Sequence, residues 1–478
     1  MIDTEALRKK VIELAIQGKL TEQLPSDGDA ESLYAQIQEE KAKLIKEGKI
    51  KKGKPLPVID KDEIPFNIPD NWKWVRWGEL SEKIQYGYNA PAKTAGRIKM
   101  VRISDIQDGK VQWDTVPYCD IDESEINDYL LRENDILFAR TGGTVGKSYI
   151  VSSVPEEAVF AGYLIRTSYS SAICASYMKY FMESGLYWKQ LRDGTIATAQ
   201  PNCNGKTLSK MIVPFPPYAE QKSISEIIEA TFSQIDIIDT LQQQYESDLS
   251  VLKGKIIDAG IRGKLTEQLP EDGDAETLYL QIQEEKAKLI KEGKIKKEKP
   301  LPEIDADEIP FEIPKNWKWV RIGKVINEVV VPQRDKPPFS GNIPWCRIED
   351  RDDIYLNGTK SGQYVSEETV KKMNLRVFPV GTVLSACSGA SIGTILITTV
   401  ECCTNQTFNG LVCNDKLHNW FLFWHLKAEI NRLKKMGSGS AMAYVSQDKI
   451  RNMLIPLPPY EEQLRITSKL DELFKIIA

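Results

Sequence analysis

Residues 18–52 read GKLTEQLPSDGDAESLYAQIQEEKAKLIKEGKIKK, and residues 263–297 repeat them 245 positions later with only three changes, Ser26/Glu271, Ser32/Thr277 and Ala35/Leu280. A self-match this close makes internal duplication the first fact about the fold. The match runs on more loosely through Lys54-Pro-Leu-Pro and Lys299-Pro-Leu-Pro to IPFNIPDNWKWVRWG (64–78) against IPFEIPKNWKWVRIG (309–323). Past these tryptophans the copies part. They rejoin at IVPFPPYAEQ (212–221) and LIPLPPYEEQ (454–463), now 242 positions apart. Each unit is therefore a shared frame around a divergent insert of roughly 140 residues.

After the first insert the frame reads as helix. Ile228, Thr231, Ile235, Ile238, Gln242, Tyr245, Leu249, Leu252 and Ile256 alternate steps of four and three and are mostly apolar, as a coiled-coil seam requires. At about 1.5 Å per residue the stretch spans close to 50 Å. An ordinary amphipathic helix packed on a globular domain is the plainer alternative. Near the carboxyl end, Ile466, Leu470, Leu473 and Ile477 repeat the positions of Ile224, Ile228, Thr231 and Ile235. Ala478 corresponds to Asp236 and Met1 to Glu246, so the two ends together supply most of a second central helix. The expectation is a circular, pseudo-twofold arrangement in which the central helix runs antiparallel to a composite of both termini.

The inserts read as mixed α/β modules. Each has β-branched runs (Asp135-Ile-Leu-Phe-Ala; Gly381-Thr-Val-Leu-Ser-Ala) and one expected helix, near 175–192 and 419–435. Each also has a glycine-rich turn, Thr141-Gly-Gly-Thr-Val-Gly-Lys-Ser and Ser388-Gly-Ala-Ser-Ile-Gly-Thr, and an arginine on an expected strand, Arg102 and Arg347.

Composition narrows the function. The chain has 478 residues, 41% hydrophobic and 27% charged, enough for several cores and unlike a disordered protein. No uncharged apolar run approaches the roughly 18 residues that span a bilayer, and Met-Ile-Asp-Thr-Glu does not open like a secretion signal, so a cytoplasmic location is expected. The eight cysteines lack C-x-x-C pairing and read as reduced core thiols. His418 and His425 leave little material for a histidine-based catalytic or metal site. A net charge of −5 does not itself suggest nucleic acid.

Three motifs invite over-reading. The turn at 141–148 lacks the first glycine of a P-loop and runs into a strand-like Tyr149-Ile-Val, so Lys147 suits a nucleic-acid phosphate, or a plain hairpin turn, better than a nucleotide. Pro-Pro-Tyr at 216–218 and 458–460 follows Phe215 and Leu457, not the Asp or Asn an amino-methyltransferase needs to hold the target amine, and fits a rigid helix entry instead. The lysines at 41–54, echoed at 286–299, are interleaved with Glu39, Glu40 and Glu47 and read as a solvated helix end.

The whole-chain layout resembles the specificity subunit of type I restriction-modification enzymes: IPDNWKWVRWG and IPKNWKWVRIG open the inserts, and PFPPYAEQ and PLPPYEEQ close them before helices. The resemblance implies an α+β chain with two mixed α/β target-recognition domains separated by two long antiparallel helices. The expected divisions are 1–62 and 218–307 for frame, 63–217 and 308–459 for the recognition domains, and 460–478 for a closing helix. It implies a non-catalytic subunit that reads a bipartite, asymmetric site in double-stranded DNA. Two methyltransferase subunits, using S-adenosylmethionine on adenine N6, and two restriction subunits, using ATP and magnesium, are the implied partners; this chain carries no cofactor. A duplicated coiled-coil scaffold whose inserts bind proteins is the alternative.

Side chains able to read base edges or phosphates set the candidate contacts. In the first insert these are Gln85, Tyr86, Tyr88, Arg102, Ser104, Arg140, Thr141, Lys147, Thr198, Gln200, Asn202 and Lys206. In the second they are Gln333, Arg334, Arg347, Arg351, Ser388, Ser391, Ser438, Ser440 and Tyr444. Arg102 and Arg347 occupy equivalent places in unlike readers and so suit a structural or phosphate role as well as base reading.

Overall fold

The structure, a computed structural model, describes residues 1–107, 109–194, 203–332, 335–437 and 443–477. The chain divides into two units, Met1–Gln243 and Gln244–Ala478, built to one plan.

In the first unit Asp3 caps the helix Thr4–Ile16, accepting from the Ala6 amide at 2.9 Å. This helix lies antiparallel to the start of the 44-residue helix Tyr218–Ile261. Thr4 Oγ1 donates to Asp239 at 2.5 Å, Arg8 Nη2 to Asp236 at 2.5 Å, and the Ile2 amide to Gln242 Oε1 at 2.6 Å. Between them Val11, Ile12, Ala15 and Ile16 bury with Ile224 and Ile228 in one core. The second unit repeats the arrangement with the end of the long helix and Tyr460–Ile476, where Ile261, Ile466 and Leu470 share a core. A Cβ at Gly260 would sit 3.3 Å from Ile466, so the crossing there is close.

The long helix is longer than the heptad reading required. Its seam is covered unevenly: Ile228 and Ile235 are buried, Thr231, Ile238, Gln242, Leu249 and Ile256 are half-buried, and Tyr245 and Leu252 are exposed. Helices of 13 and 17 residues cannot cover the whole of one of 44.

The duplicated motifs make a socket. Lys73–Arg76 pairs antiparallel with Ile212–Phe215, so the residues that open and close the first insert lie side by side. Lys318–Arg321 and Leu454–Leu457 repeat this register. Within the first insert four antiparallel strands run in the order Lys83–Tyr86, Leu164–Ser168, Ile136–Ala139, Ser148–Ile150. The second has five, Ile326–Val330, Phe408–Cys413, Val383–Ala386, Ile395–Thr398 and Tyr355–Leu356, the last pair parallel. Each insert adds a three-stranded sheet with one parallel pair.

The single helix expected in each insert is two. Ala175–Phe181 gives way to Gly185–Gly194, with Ser184 Oγ accepting from the Tyr187 amide at 3.2 Å and Glu13 Oε1 from the Gly185 amide at 2.6 Å. A serine cap restarts the helix there, a local signal that apolar periodicity does not carry. In the second insert Asn419–Ala428 and Ile430–Gly437 divide at Glu429.

Candidate nucleic-acid interface

The frame fixes each insert through buried polar nodes. Glu220 is fully buried and accepts from Thr21 Oγ1 at 2.8 Å, Gln23 Nε2 at 3.0 Å and Trp72 Nε1 at 2.8 Å. Glu462 does the same for Thr266, Gln268 and Trp317. The neighbouring glutamines reach into the inserts: Gln221 accepts from the Cys174 amide and Gln463 from the His418 amide. Arg76 forks onto Glu63 and also donates to the carbonyls of Pro57, Val58 and Lys210; Arg321 repeats the pattern with Glu308, Pro302, Glu303 and Asn452. The shared NWKWVR and PPYxEQ segments are thus two halves of one clamp.

Two of the lysines read as a solvated helix end belong to this clamp. Lys41 Nζ donates to the carbonyls of Gly78 and Glu79, both at 2.9 Å, and Lys286 Nζ to those of Gly323 and Ile326. Burial lowers the pKa of both, that of Lys286 to about 8. The carbonyls at the end of a short helical turn need donors, and a lysine reaching back from another helix supplies them.

The glycine-rich turns are tight hairpins. Gly142 and Gly146 have φ of +75° and +92°, and Gly389 and Gly393 have +59° and +98°, conformations in which glycine avoids the strain a side chain brings. In the first, the amides of Val145, Gly146 and Lys147 donate to the carbonyls of Gly142, Ala139 and Thr144. Amides spent within the hairpin cannot cradle a phosphate, and a strand follows at Ser148–Ile150. One end of the hairpin is sealed, since a Cβ at Gly146 would meet Leu191 and Trp188 within 2.5 Å, while Gly142 and Gly143 face open space.

Around the open end of the first sheet several candidates converge. The Arg140 guanidinium lies 4.6 Å from the centre of the Tyr86 ring, a cation–π contact, and its Nε is buried without a hydrogen-bond partner. Tyr86 Oη accepts from the Gly205 amide at 3.0 Å, which joins this strand end to the helix Gly205–Lys210 carrying exposed Lys206. Thr141 starts the hairpin beside them. Tyr88 packs on Tyr129 with ring centres 5.2 Å apart. Tyr163, 69% exposed and not among the sequence candidates, joins this group, its carbonyl accepting from the Arg140 amide at 3.2 Å. An aromatic beside a glycine at the mouth of an apolar strand, Gly162-Tyr163-Leu164, was the available signal.

Other candidates sit apart from this cluster. Gln85 accepts from Arg166 Nη2 at 2.7 Å, and Arg166 also pairs with buried Asp135, whose carboxyl burial pushes up. Arg102 closes a box on Asp105, which raises the pKa of the guanidinium; Ser104 beside it is exposed. Lys147 lines a hollow of about 390 Å³ with Arg8, Lys179, Trp188 and Phe232.

In the second insert Ser388 bridges to Tyr444, and Ser391 Oγ donates to the Ser388 carbonyl at 2.6 Å. Tyr444, 40% exposed, is thereby held beside the start of the second hairpin. Arg347 boxes Asp350 through its amide, and its Nε is buried without a partner. Arg351 is exposed next to it. Thr198, Gln200, Asn202, Gln333, Arg334, Ser438 and Ser440 lie outside the described residues.

One repeated clamp presents two different polar and aromatic surfaces, and the family comparison supplies the class of protein to which this arrangement belongs. A model of the type I restriction modification DNA specificity domain matches residues 69–247 and 314–478, and the chain belongs to that family as a DNA-recognition, non-catalytic subunit. Over 98% of its length it is 26% identical to the specificity subunits of the type I restriction enzymes EcoEI and EcoAI of Escherichia coli, covering 89% and 88% of them. A chain from a structure of complex assembly and conformational transition in a type I R-M system superposes with a TM-score of 0.62 at 20% identity, covering 86% of this chain and 92% of that one. The HsdS subunit of Thermoanaerobacter tengcongensis gives 0.54 at 19%, covering 86% and 91%. These structural likenesses establish the fold. All eight cysteines are free thiols, six of them buried. Among the described residues no helix is long and apolar enough to cross a membrane.

Proposed function

We propose that the chain reads a bipartite, asymmetric site in duplex DNA, one half-site per insert, with recognition domains at 63–217 and 308–459. The observation that carries this reading is the socket: one strand pair and one buried Trp–Glu node, used twice, hold two inserts whose exposed ends differ. Arg140 offers a guanidinium suited to guanine O6 and N7, and amides such as Gln200, Asn202 and Gln333 have the donor–acceptor edge that adenine needs. Lys147, Lys206, Arg334 and Arg351 suit phosphates. Each copy of the frame holds one methyltransferase subunit, which brings S-adenosylmethionine to adenine, and two restriction subunits with ATP and magnesium complete the nuclease in the cytoplasm. The net charge of −5 fits a reader whose partners supply much of the basic clamp.

Replacing residues 77–211 by the insert of another specificity subunit tests the reading. Mapped methyladenine in the host genome is expected to change in one half-site only. A change in both halves, or none, would overturn independent reading by the two inserts.

A further inference from the structure

The arginines of the first insert differ in what holds them. Arg97, Arg102 and Arg166 are each paired with a carboxylate, that of Glu123, Asp105 and Asp135 respectively. Arg140 is not. Among the described residues no carboxylate pairs with its side chain, and the group it packs on is the ring of Tyr86. Its backbone is tied on both sides, the amide donating to the Tyr163 carbonyl at 3.2 Å and the carbonyl accepting from the Cys203 amide at 2.9 Å. A half-buried guanidinium whose Nε is desolvated and unpartnered costs stability, so folding alone does not explain its place.

Tyr86 is built to hold that group. It ends the strand Lys83–Tyr86 opposite Ile165, and its hydroxyl accepts from the Gly205 amide at 3.0 Å, so the ring is fixed at both ends. Arg140 follows the strand Ile136–Ala139 and leads into the hairpin, where a Cβ on Gly142 or Gly143 would meet nothing within 4 Å. A two-stranded ribbon is narrow enough for the major groove, where guanine presents N7 and O6 side by side to a guanidinium. Phosphates line the outside of the duplex and are served by exposed, flexible side chains such as Lys206. An arginine held on a ring has less freedom to lose when both its donors must meet one base edge. The second hairpin has the same backbone without these parts. The Cys387 amide donates to the Thr407 carbonyl at 2.8 Å as that of Arg140 does to Tyr163, and the edge strand Ile326–Val330 carries no aromatic residue.

We infer that Tyr86 is a positioning residue of the first reader: its ring holds the Arg140 guanidinium in the plane that meets N7 and O6 of one guanine in the half-site of the first insert. The inference rests on the proposed reading of one half-site per insert. It names one base of that half-site and the ring on which its selection depends.

The test uses the full-length chain in complex with its methyltransferase subunit and starts from the half-site that the insert exchange assigns to residues 77–211. With Arg140→Ala, one G·C pair of that half is expected to relax in the host methylome, every other position in both halves being kept. Replacing that guanine in a duplex by 7-deazaguanine, which lacks the N7 acceptor, is expected to lower kcat/KM of the unaltered complex about tenfold. The Arg140→Ala complex is expected to be insensitive to the replacement. Tyr86→Leu is expected to lose the sensitivity too, and Tyr86→Phe, which keeps the ring without the hydroxyl, to retain it. Arg140→Met, which keeps a stem against the ring, repeats the measurement should the alanine variant lose its thermal transition. A first half-site without a G·C pair, or a deaza penalty as large for Arg140→Ala as for the unaltered complex, would overturn the inference and leave the proposed function standing. So would an Arg140→Ala complex weakened equally on all sequences, the mark of a phosphate contact, or a Tyr86→Leu complex as sensitive as the unaltered one. Relaxation in both halves at once would overturn the proposed function as well.

Discussion

His425 is 2% exposed, and one ring nitrogen meets the Leu454 carbonyl at 2.8 Å on the strand that closes the second insert. Burial lowers its pKa from 6.5 to about 4. Between those values the unfolded chain binds a proton that the folded one refuses, so stability is full above pH 6.5 and falls as the pH drops towards 4. The loss is at most about 3 kcal/mol. Glutamine at this position keeps a donor for Leu454 and does not titrate. His425→Gln is expected to flatten this part of the pH profile of chemical denaturation, and an unchanged slope would place the dependence elsewhere. His425 is thus packed beneath the closing strand, and the His418 amide donates to Gln463 of the closing helix.

At the scale of elements, the strand pair and the Trp–Glu node are what the repeated motifs encode. Trp72→Phe keeps an aromatic ring, though a smaller one, and leaves Glu220 without one of its donors, and the loss is expected to be about 1–3 kcal/mol in urea denaturation. A cost near zero would mean that Asn71, which also reaches Oε2, satisfies the carboxylate together with Thr21 and Gln23 on Oε1. The frame was legible because its constraints recur: any side chain kept in both NWKWVR and PPYxEQ had to answer to a contact made twice. The long helix was legible from its four–three spacing. What periodicity did not convey was where a partner covers that seam and where it stops, as exposed Tyr245 and Leu252 illustrate. The helix break at Ser184 escaped notice because capping depends on one residue. Lys41 and Lys286 were misread because charge suggests solvent until the carbonyls at Gly78 and Gly323 are seen to need donors. Candidate readers were the least legible of all. They occur once each, so no internal repeat checks them, and Tyr163 becomes a candidate only when the fold sets it beside Arg140.

For the whole molecule the long helix is continuous through Tyr218–Ile261 and crosses the division between the units. If it acts as the spacer between readers, adding seven residues after Glu246, about 10 Å of helix, is expected to alter the length of the unspecified gap and leave both half-site sequences as they were. Methylome sequencing reads both quantities at once. New half-site sequences with an old gap would assign spacing to some other part of the assembly.

Lys73–Arg76 and Ile212–Phe215 run side by side, so the polypeptide leaves the frame and returns to it at nearly the same point. Such a doorway confines its demands to the few insert residues that meet the frame. A foreign module whose own ends adjoin, and whose helices meet the frame as those beginning near Cys174 and His418 do, can be spliced in by a single genetic crossover at each motif. Exchange of a module thereby alters what is read while the frame that holds it stays as it is.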